Sequence, residues 1–186
     1  MTRQRRLLVV AAIAGFVVAI TATGSSAAPV DENSFGSSNI IREQLSGFNE
    51  VPLALSTPAN ANFVAFINER NQEISYRLSY ADFPTAVTQS HVHFGSPAQA
   101  GGISFFLCTN LGNAPAGVTV QACPAAPGTI SGTIKPGDVI GPNAQGIAPG
   151  EFAEIVKAIR AGATYVNIHT AAFPPGEARA QLGHQH

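Results

Sequence analysis

The stretch EISYRLSY, at residues 73–80, alternates strictly between apolar and polar side chains. Ile74, Tyr76, Leu78 and Tyr80 therefore share one face of a strand, because successive side chains of a strand point to opposite sides. This pattern predicts a strand with one buried face and one face toward water.

The same pattern extends along the chain in both directions. A second strand is predicted at residues 61–69, and Arg70-Asn71 supplies a tight connection, so these two strands are predicted to form a hairpin. Further strands, each bounded by Gly, Pro or Asn, are predicted at residues 42–50, 88–94, 102–108, 129–135, 164–170 and 177–182. Eight short strands separated by turn residues predict an all-β fold, a Greek-key β-sandwich or barrel.

One short helix interrupts the strands, at residues 151–161. Phe152, Ile155 and Ile159 recur at helical spacing, and Gly162 follows the last of them. A glycine in this position is a common helix end. The sequence therefore predicts one helix packed against the β-domain.

The N-terminal residues 1–28 have the order of a secretion signal. Three arginines precede an uncharged apolar run at residues 7–20, and small residues follow up to Ala28. The run is about 14 residues, shorter than the ~20 that a helix needs to cross a bilayer. We therefore predict cleavage near Ala27 or Ala28, and a secreted or periplasmic protein with no membrane association after cleavage.

Composition then limits what the mature chain does. Residues 29–41 are polar and predict a flexible lead-in, which leaves one domain at residues 42–183. Three of the ten lysines and arginines belong to the signal, so seven remain beside eleven acidic residues. Because the seven form no cluster, no nucleic-acid or anionic-membrane surface is expected.

The sequence has two cysteines, Cys108 and Cys123. In an exported chain, a disulfide between them is the favoured interpretation. Two buried thiols are the alternative. A thiolate metal site is less favoured, because no Cys-x-x-Cys spacing is present.

Three histidines lie on the polar faces of two predicted strands. In SHVHFG, residues 90–95, His91 and His93 lie on the face opposite the apolar residues, and His169 does so in YVNIHT, residues 165–170. Two residues along a strand span roughly 6–7 Å, so both imidazoles of the pair could reach one metal ion. His169 from a neighbouring strand would complete three nitrogen ligands, suited to copper first and zinc second. Surface or hydrogen-bonded histidines without a metal are the alternative.

The last predicted strand, within PPGEARAQL at residues 174–182, has polar residues on the same outer face as His169. Arg179 could attract an anion toward the histidines, with Asn167 and Glu177 as neighbours that support the site. An ion pair between Arg179 and Glu177 on the surface is the alternative.

Other arrangements that carry chemistry are missing from the sequence. We find no Ser-His-Asp elbow, no paired carboxylate site and no phosphate-binding glycine loop. His184 and His186 lie in a terminal Gly-His-Gln-His that is expected to fray, so they are not expected to be ligands. We therefore assign no catalytic residue from the sequence.

Several ordered motifs between residues 42 and 182 resemble the CHRD domain, the module named from chordin. They are LSG at 45–47, EVP at 50–52, HVHFG at 91–95, YVNIHT at 165–170 and PGEARAQL at 175–182. The resemblance implies an extracellular β-domain. In chordin the module lies beside cysteine-rich modules that bind growth factors, and those modules have no counterpart in these 186 residues.

The HVHFG motif also resembles the copper-ligand strand of copper–zinc superoxide dismutase, a Greek-key barrel with a disulfide and an active-site arginine. By that resemblance His91 and His93 match the paired copper ligands, and His169 a later one. The bridging and zinc ligands have no counterpart, which implies a mononuclear site. Weak superoxide-consuming activity, with Arg179 steering the anion, is then one possibility. A non-catalytic module that binds an extracellular protein or polysaccharide is the other.

Overall fold

The computed structural model describes residues 39–183. The predicted signal at residues 1–28, most of the predicted lead-in and the terminal residues 184–186 lie outside this part of the chain. The first strand begins at Ile40, inside the predicted lead-in and two residues before the predicted start of the domain. Between residues 39 and 183, no helix is long and apolar enough to cross a membrane.

Eight strands and one α-helix form the described domain, as the sequence predicts. The strands are β1 Ile40–Ser46, β2 Asn60–Asn68, β3 Glu73–Ala81, β4 Val87–Phe94, β5 Gly102–Thr109, β6 Gly128–Ile134, β7 Thr164–Thr170 and β8 Ala178–Leu182, and α1 is Phe152–Arg160. The largest difference is in β1, which stops four residues before the predicted end. The side chain of Ser46 accepts a hydrogen bond from the N–H of Phe48 and starts a 3-10 turn at Gly47–Asn49.

The strands form one antiparallel sheet in the order β5-β4-β7-β8-β1-β2-β3-β6. Its two outermost strands, β5 and β6, contact each other, so that the sheet curls into a nearly closed barrel. Around this ring β4, β5 and β6 follow one another, and β7 returns to lie beside β4, which is a Greek-key connection. The prediction of an all-β barrel or sandwich with one short helix is confirmed.

The barrel interior is the hydrophobic core, and the alternating stretch in β3 supplies one wall of it. Tyr76 and the other apolar residues of that stretch are buried. At the gap between β5 and β6, the Tyr76 hydroxyl donates to the carbonyl of Leu107, at 3.0 Å. The Gln121 side chain donates to the Tyr76 hydroxyl and to the carbonyl of Ser131 in β6. Side-chain hydrogen bonds therefore bridge the seam that no strand ladder closes.

Strands β4 and β7 pair side by side and carry the three histidines on the face away from the core. Val92, Val166 and Ile168 point inward and are fully buried. The pairing of β4 with β5 is less regular, with register shifts at Ser90/His91 and at Val92/His93. Each shift leaves an extra β5 residue without a partner, as in a β-bulge.

A disulfide joins Cys108, near the end of β5, to Cys123 in the connection to β6. Asn110 holds the same connection, since its amide donates to the Cys123 carbonyl and its Oδ1 accepts from the Cys123 N–H. The predicted disulfide is confirmed. It closes a 15-residue separation in a segment with little regular structure.

Replacing both cysteines, in Cys108→Ala/Cys123→Ala, is expected to lower the free energy of unfolding by about 3 kcal/mol, because a loop of this length gains conformational freedom in the unfolded chain. Urea unfolding of the variant and the wild type measures the difference. Wild-type protein in reductant is the control and should show the same loss. A decrease below about 1 kcal/mol would show that the disulfide contributes little to stability.

Candidate metal centre

His91 and His93 on β4 and His169 on β7 come together on the outer side of the sheet. In the antiparallel register His91 lies opposite Asn167, and His93 lies opposite Tyr165. One ring nitrogen from each histidine lies within 4.8 Å of the others. The structure therefore places the three predicted ligands in one cluster.

These histidines are not displayed to solvent. The exposed fraction of the residue is 0% for His91, 8% for His93 and 6% for His169. Other chain segments cover the outer face of the strands, and their carbonyls at Gly101 and Pro174 contact the rings. The expectation of surface histidines is wrong, because loops bury the outer face of β4 and β7 at these positions.

The covering carbonyls fix the protonation of two rings. Nδ1 of His93 lies 3.0 Å from the Gly101 carbonyl oxygen, and Nδ1 of His169 lies 2.9 Å from that of Pro174. Because a carbonyl can only accept, each Nδ1 carries the proton and donates it. In the neutral rings each Nε2 then has a free lone pair. A backbone carbonyl behind an imidazole is the usual way in which proteins orient metal-binding histidines.

His91 completes the cluster through its contact with His169. Its Nδ1 lies 3.2 Å from Nε2 of His169, and its own Nε2 is buried without a partner, as is Nε2 of His93. The 3.2 Å spacing suits an N–H···N hydrogen bond. It equally suits two ligands of one ion, since bonds of about 2.0–2.1 Å in a tetrahedral site place two nitrogens about 3.3 Å apart. The residues present therefore fit a metal ion.

Burial keeps all three rings neutral. Desolvation, together with the neighbouring His169 and His93, lowers the pKa of His91 to about 2. Desolvation likewise lowers the pKa of His93 to about 4, and it lowers the pKa of His169. Neutral imidazole is the form that binds a metal, so no proton has to be removed from these rings at neutral pH.

Aromatic rings restrain the cluster on two sides. Phe106 on β5 meets His91 edge-on, with ring centroids 4.4 Å apart. Tyr165 stacks on His93 with centroids 4.8 Å apart and an angle of 2° between the planes. The alternation in the sequence predicts that Tyr165 lies on the same face of the strand as His169. It does not predict that Tyr165 stacks on His93. The roles of Phe106 and of the Gly101 and Pro174 carbonyls have no signal in the sequence.

Comparison with known proteins identifies the family. The model of the CHRD domain matches residues 41–182. The chain belongs to the CHRD domain family. No curated protein and no solved structure matches it. The predicted CHRD resemblance is confirmed, whereas the local likeness to superoxide dismutase remains a likeness of one motif.

Arg179 of this CHRD domain holds the loop at residues 95–101, which lies above the histidines. It is 2% exposed, and it donates from Nη1 to the Gln99 carbonyl at 2.9 Å and from Nη2 to the Ser96 carbonyl at 3.1 Å. Its guanidinium carbon lies 3.4 Å from the centroid of Tyr165, a cation–π contact. Burial lowers its pKa, while Tyr165 and Glu50 oppose that shift. The arginine therefore connects the loop, the tyrosine and, through the tyrosine, His93.

Glu177 makes its contacts elsewhere. It is fully buried, and its two carboxylate oxygens accept hydrogen bonds from Thr57 at 2.7 Å and from Thr170 at 2.6 Å. The surface ion pair between Arg179 and Glu177, an alternative from the sequence, is wrong, since both residues are buried and are bonded to other groups. Glu177 instead ties the connection between β1 and β2 to the end of β7.

Glu50 is a site residue that sequence reasoning missed. Its Oε2 accepts a hydrogen bond from Asn167 at 3.4 Å, and its Oε1 is buried without a partner, as is Oδ1 of Asn167. Gly176 permits this contact, because a Cβ there would lie 2.5 Å from the Asn167 amide nitrogen and 2.8 Å from Oε2 of Glu50. Burial raises the pKa of Glu50 to about 7, although Arg179 opposes the shift.

We expect Glu50→Gln to stabilise the CHRD domain at alkaline pH. In the folded protein the pKa of Glu50 is about 7, whereas the ordinary pKa of a glutamate in the unfolded chain is 4.5. The free energy of unfolding therefore falls as pH rises between these values and stays reduced above them. Glutamine has no charge to bury. The variant should match the wild type near pH 5 and exceed it near pH 8, by up to about 3 kcal/mol.

Urea unfolding near pH 5 and near pH 8 measures the difference in free energy of unfolding between the two proteins. Titration of the histidines contributes equally to both proteins and does not affect this difference. Glu154→Gln is the matched control, since Glu154 is exposed on α1 and should gain nothing at alkaline pH. A Glu50→Gln protein that is less stable than the wild type near pH 8 would contradict a buried, proton-retaining Glu50.

Proposed function

We propose that this CHRD domain binds a single transition-metal ion through His91, His93 and His169, and that it does so outside the cytoplasm. The observation that carries the proposal is the convergence of three buried, neutral imidazoles, two of which, His91 and His93, have an Nε2 without a partner. A buried polar atom without a hydrogen bond costs about 1–3 kcal/mol. A shared cation would accept one lone pair from each of the three rings.

Copper is the first choice of metal and zinc the second. The cluster offers three imidazole nitrogens, which suit both ions, and copper is the tighter of the two at such sites. Both cysteines are used in the disulfide and offer no thiolate. Three protein ligands leave one coordination position for another molecule, and a bound copper ion would supply one-electron redox chemistry there.

Export is part of the proposal and has its own support. The order of residues 1–28 is that of a secretion signal. The disulfide in the described domain suits an oxidising compartment. The CHRD family membership is consistent with an extracellular protein.

The second candidate is a non-catalytic module that binds an extracellular protein or polysaccharide, with the histidines in a structural role. The covering loops favour it, since a covered cluster suits structural stabilisation better than rapid exchange with a substrate. Weak superoxide consumption would need a path for the anion past residues 95–101. A pull-down that enriches one extracellular protein or polysaccharide, undisturbed by chelator, would favour the module, whereas chelator-sensitive capture would count against it.

Removing a ligand is expected to weaken copper binding at least roughly 100-fold, equivalent to about 2.7 kcal/mol. His93→Ala and His169→Ala should each show this loss in titrations against a chelator competitor. The metal content of the purified protein should fall in parallel.

The matched control is His184→Ala/His186→Ala, which removes the same residue type from the terminal Gly-His-Gln-His and should leave the tight site intact. One equivalent of tightly bound copper that survives His93→Ala and His169→Ala but is lost in the terminal variant would place the site at the C-terminus and overturn the proposal.

Arg179→Lys separates a clamp from a steering charge. Lysine keeps the charge but loses the two-pronged contact with the Ser96 and Gln99 carbonyls. If the arginine holds the loop closed, extraction of copper by EDTA should be at least roughly tenfold faster in the variant, at every salt concentration. Stopped-flow measurement gives the rate. Arg77→Lys, on the exposed face of β3, is the matched control.

The opposite outcome is also informative. A lysine variant that keeps the wild-type extraction rate, beside an Arg179→Ala variant that does not, would show that the charge matters and not the clamp.

A further inference from the structure

A cleft of about 680 Å³ lies where β1 and β8 pair. Arg42 and Gln44 of β1 and Gln181 of β8 line it, with residues 48–51 after β1 and residues 97–98 of the loop that covers the histidines. The strand residues alternate with buried core residues, which places the cleft on the outer face of the sheet. Its volume is in the range of small-molecule sites, about 300–1,000 Å³. The histidines do not line it, so the cleft is separate from the candidate metal centre.

Phe48 presents an aromatic ring at this cleft. It is 69% exposed, although the 3-10 turn that carries it is held from two sides. The amide of Asn49 donates to the Arg179 carbonyl at 3.2 Å, and the carbonyl of the buried Gly47 accepts from the Leu55 N–H at 2.8 Å. A ring on a turn that is already fixed offers a flat apolar surface at little cost in conformational entropy.

Polar side chains without partners line the same cleft. Arg42 and Gln44 are exposed, and neither side chain has a hydrogen-bond or ion-pair partner among residues 39–183. Glu50 is 8% exposed, and its Oε1 has no hydrogen-bond partner in that part of the chain. The cleft therefore offers donors from Arg42 and Gln44 and an acceptor from Glu50.

The charges of the cleft favour a neutral ligand over an ion. Two arginines and two glutamates line it, and they are Arg42, Arg179, Glu43 and Glu50. An ion of either sign would meet a like charge there. Both strands are paired on both sides in the sheet, so no strand edge is free for a polypeptide to extend.

A sugar matches the remaining groups. Each hydroxyl can donate to a carboxylate and accept from a guanidinium or an amide, so one class of ligand serves Arg42, Gln44 and Glu50. The C–H face of a sugar ring is flat and apolar and packs on an aromatic ring such as that of Phe48. No other part of the ligand has to carry a charge.

We propose that this cleft binds a neutral oligosaccharide, with one sugar ring stacked on Phe48, a hydroxyl that donates to Glu50, and further hydroxyls that accept from Arg42 and Gln44. The inference rests on the second candidate function and not on a bound metal. A segment within a longer polysaccharide makes the same contacts, because the cleft lies on the surface of the barrel.

The experiment screens the full chain, near pH 8, against an array of neutral oligosaccharides of glucose, mannose, galactose and N-acetylglucosamine, with heparin and polygalacturonate as polyanions. We expect binding to a defined subset of the neutral sugars that is equal with and without EDTA. Titration calorimetry of the strongest binder then gives its dissociation constant.

Cleft variants test the location. Phe48→Leu keeps an apolar side chain but loses the flat ring, and it should weaken binding roughly tenfold or more, whereas Phe48→Trp should retain binding. Glu50→Gln replaces a charge-assisted hydrogen bond with a neutral one and should weaken binding roughly fivefold. Phe66→Leu is the matched control, since Phe66 is exposed on β2 and does not line the cleft.

Copper binding should be unchanged in Phe48→Leu, so that a failure of the cleft is distinguishable from a failure of the metal centre. An array without a neutral binder, binding of the polyanions alone, or normal sugar binding by Phe48→Leu or Glu50→Gln would overturn the proposal. Chelator-independent capture of an extracellular protein, beside an array without a binder, would keep the second candidate function and reject the sugar site.

Discussion

The arrangement of this CHRD domain depends on the burial of two strands on both faces. β7 has every residue buried, and β4 is buried through its histidine segment. One face packs into the barrel, and loops cover the other. Polar side chains on a doubly buried strand must find partners within the protein, because water does not reach them. The histidines and Asn167 lie on these two strands, and Glu177 and Arg179 beside them are likewise held by hydrogen bonds within the protein.

The cover and the site form one unit. Tyr165 accepts from the N–H of Gly101 and supports the carbonyl that fixes His93. Gln181 donates to the carbonyls of Gly95 and Gly162, at 2.8 and 2.7 Å, and so secures the start of the same loop. The residues that face the cluster also keep the cluster closed. A change in any of them therefore alters both the chemistry and the access of the site.

Much of this architecture can be predicted from the sequence, because alternation identifies strands and assigns residues to faces. The side of His91, His93 and His169 follows from that alternation, and so does the antiparallel contact of β7 with β8. The burial of that side does not follow. Polar residues that alternate with apolar ones are typical of a strand with one face exposed to water. The covering segments contain Gly, Pro and Ala without periodicity, so their position over the strands cannot be predicted.

Glu50 shows the same limit in a single residue. It is one glutamate in a loop, far along the chain from Asn167, and nothing in its neighbours indicates that it is buried. Only the path of the chain brings the two together, since a contact between distant loop residues is set by tertiary packing and not by a local pattern. Its raised pKa follows from that packing.

The irregular pairing of β4 with β5 has a consequence for the surroundings of the candidate metal centre. Cys108 lies opposite Ser90, but Phe106 and not Leu107 lies opposite His91, because one residue of β5 is left over. A shift by one residue exchanges the two faces of a strand. A regular ladder continued from Cys108 would place Leu107, an aliphatic residue, opposite His91 instead of the aromatic ring. The position of the extra residue in β5, as well as the identity of Phe106, therefore determines which side chain lies beside His91.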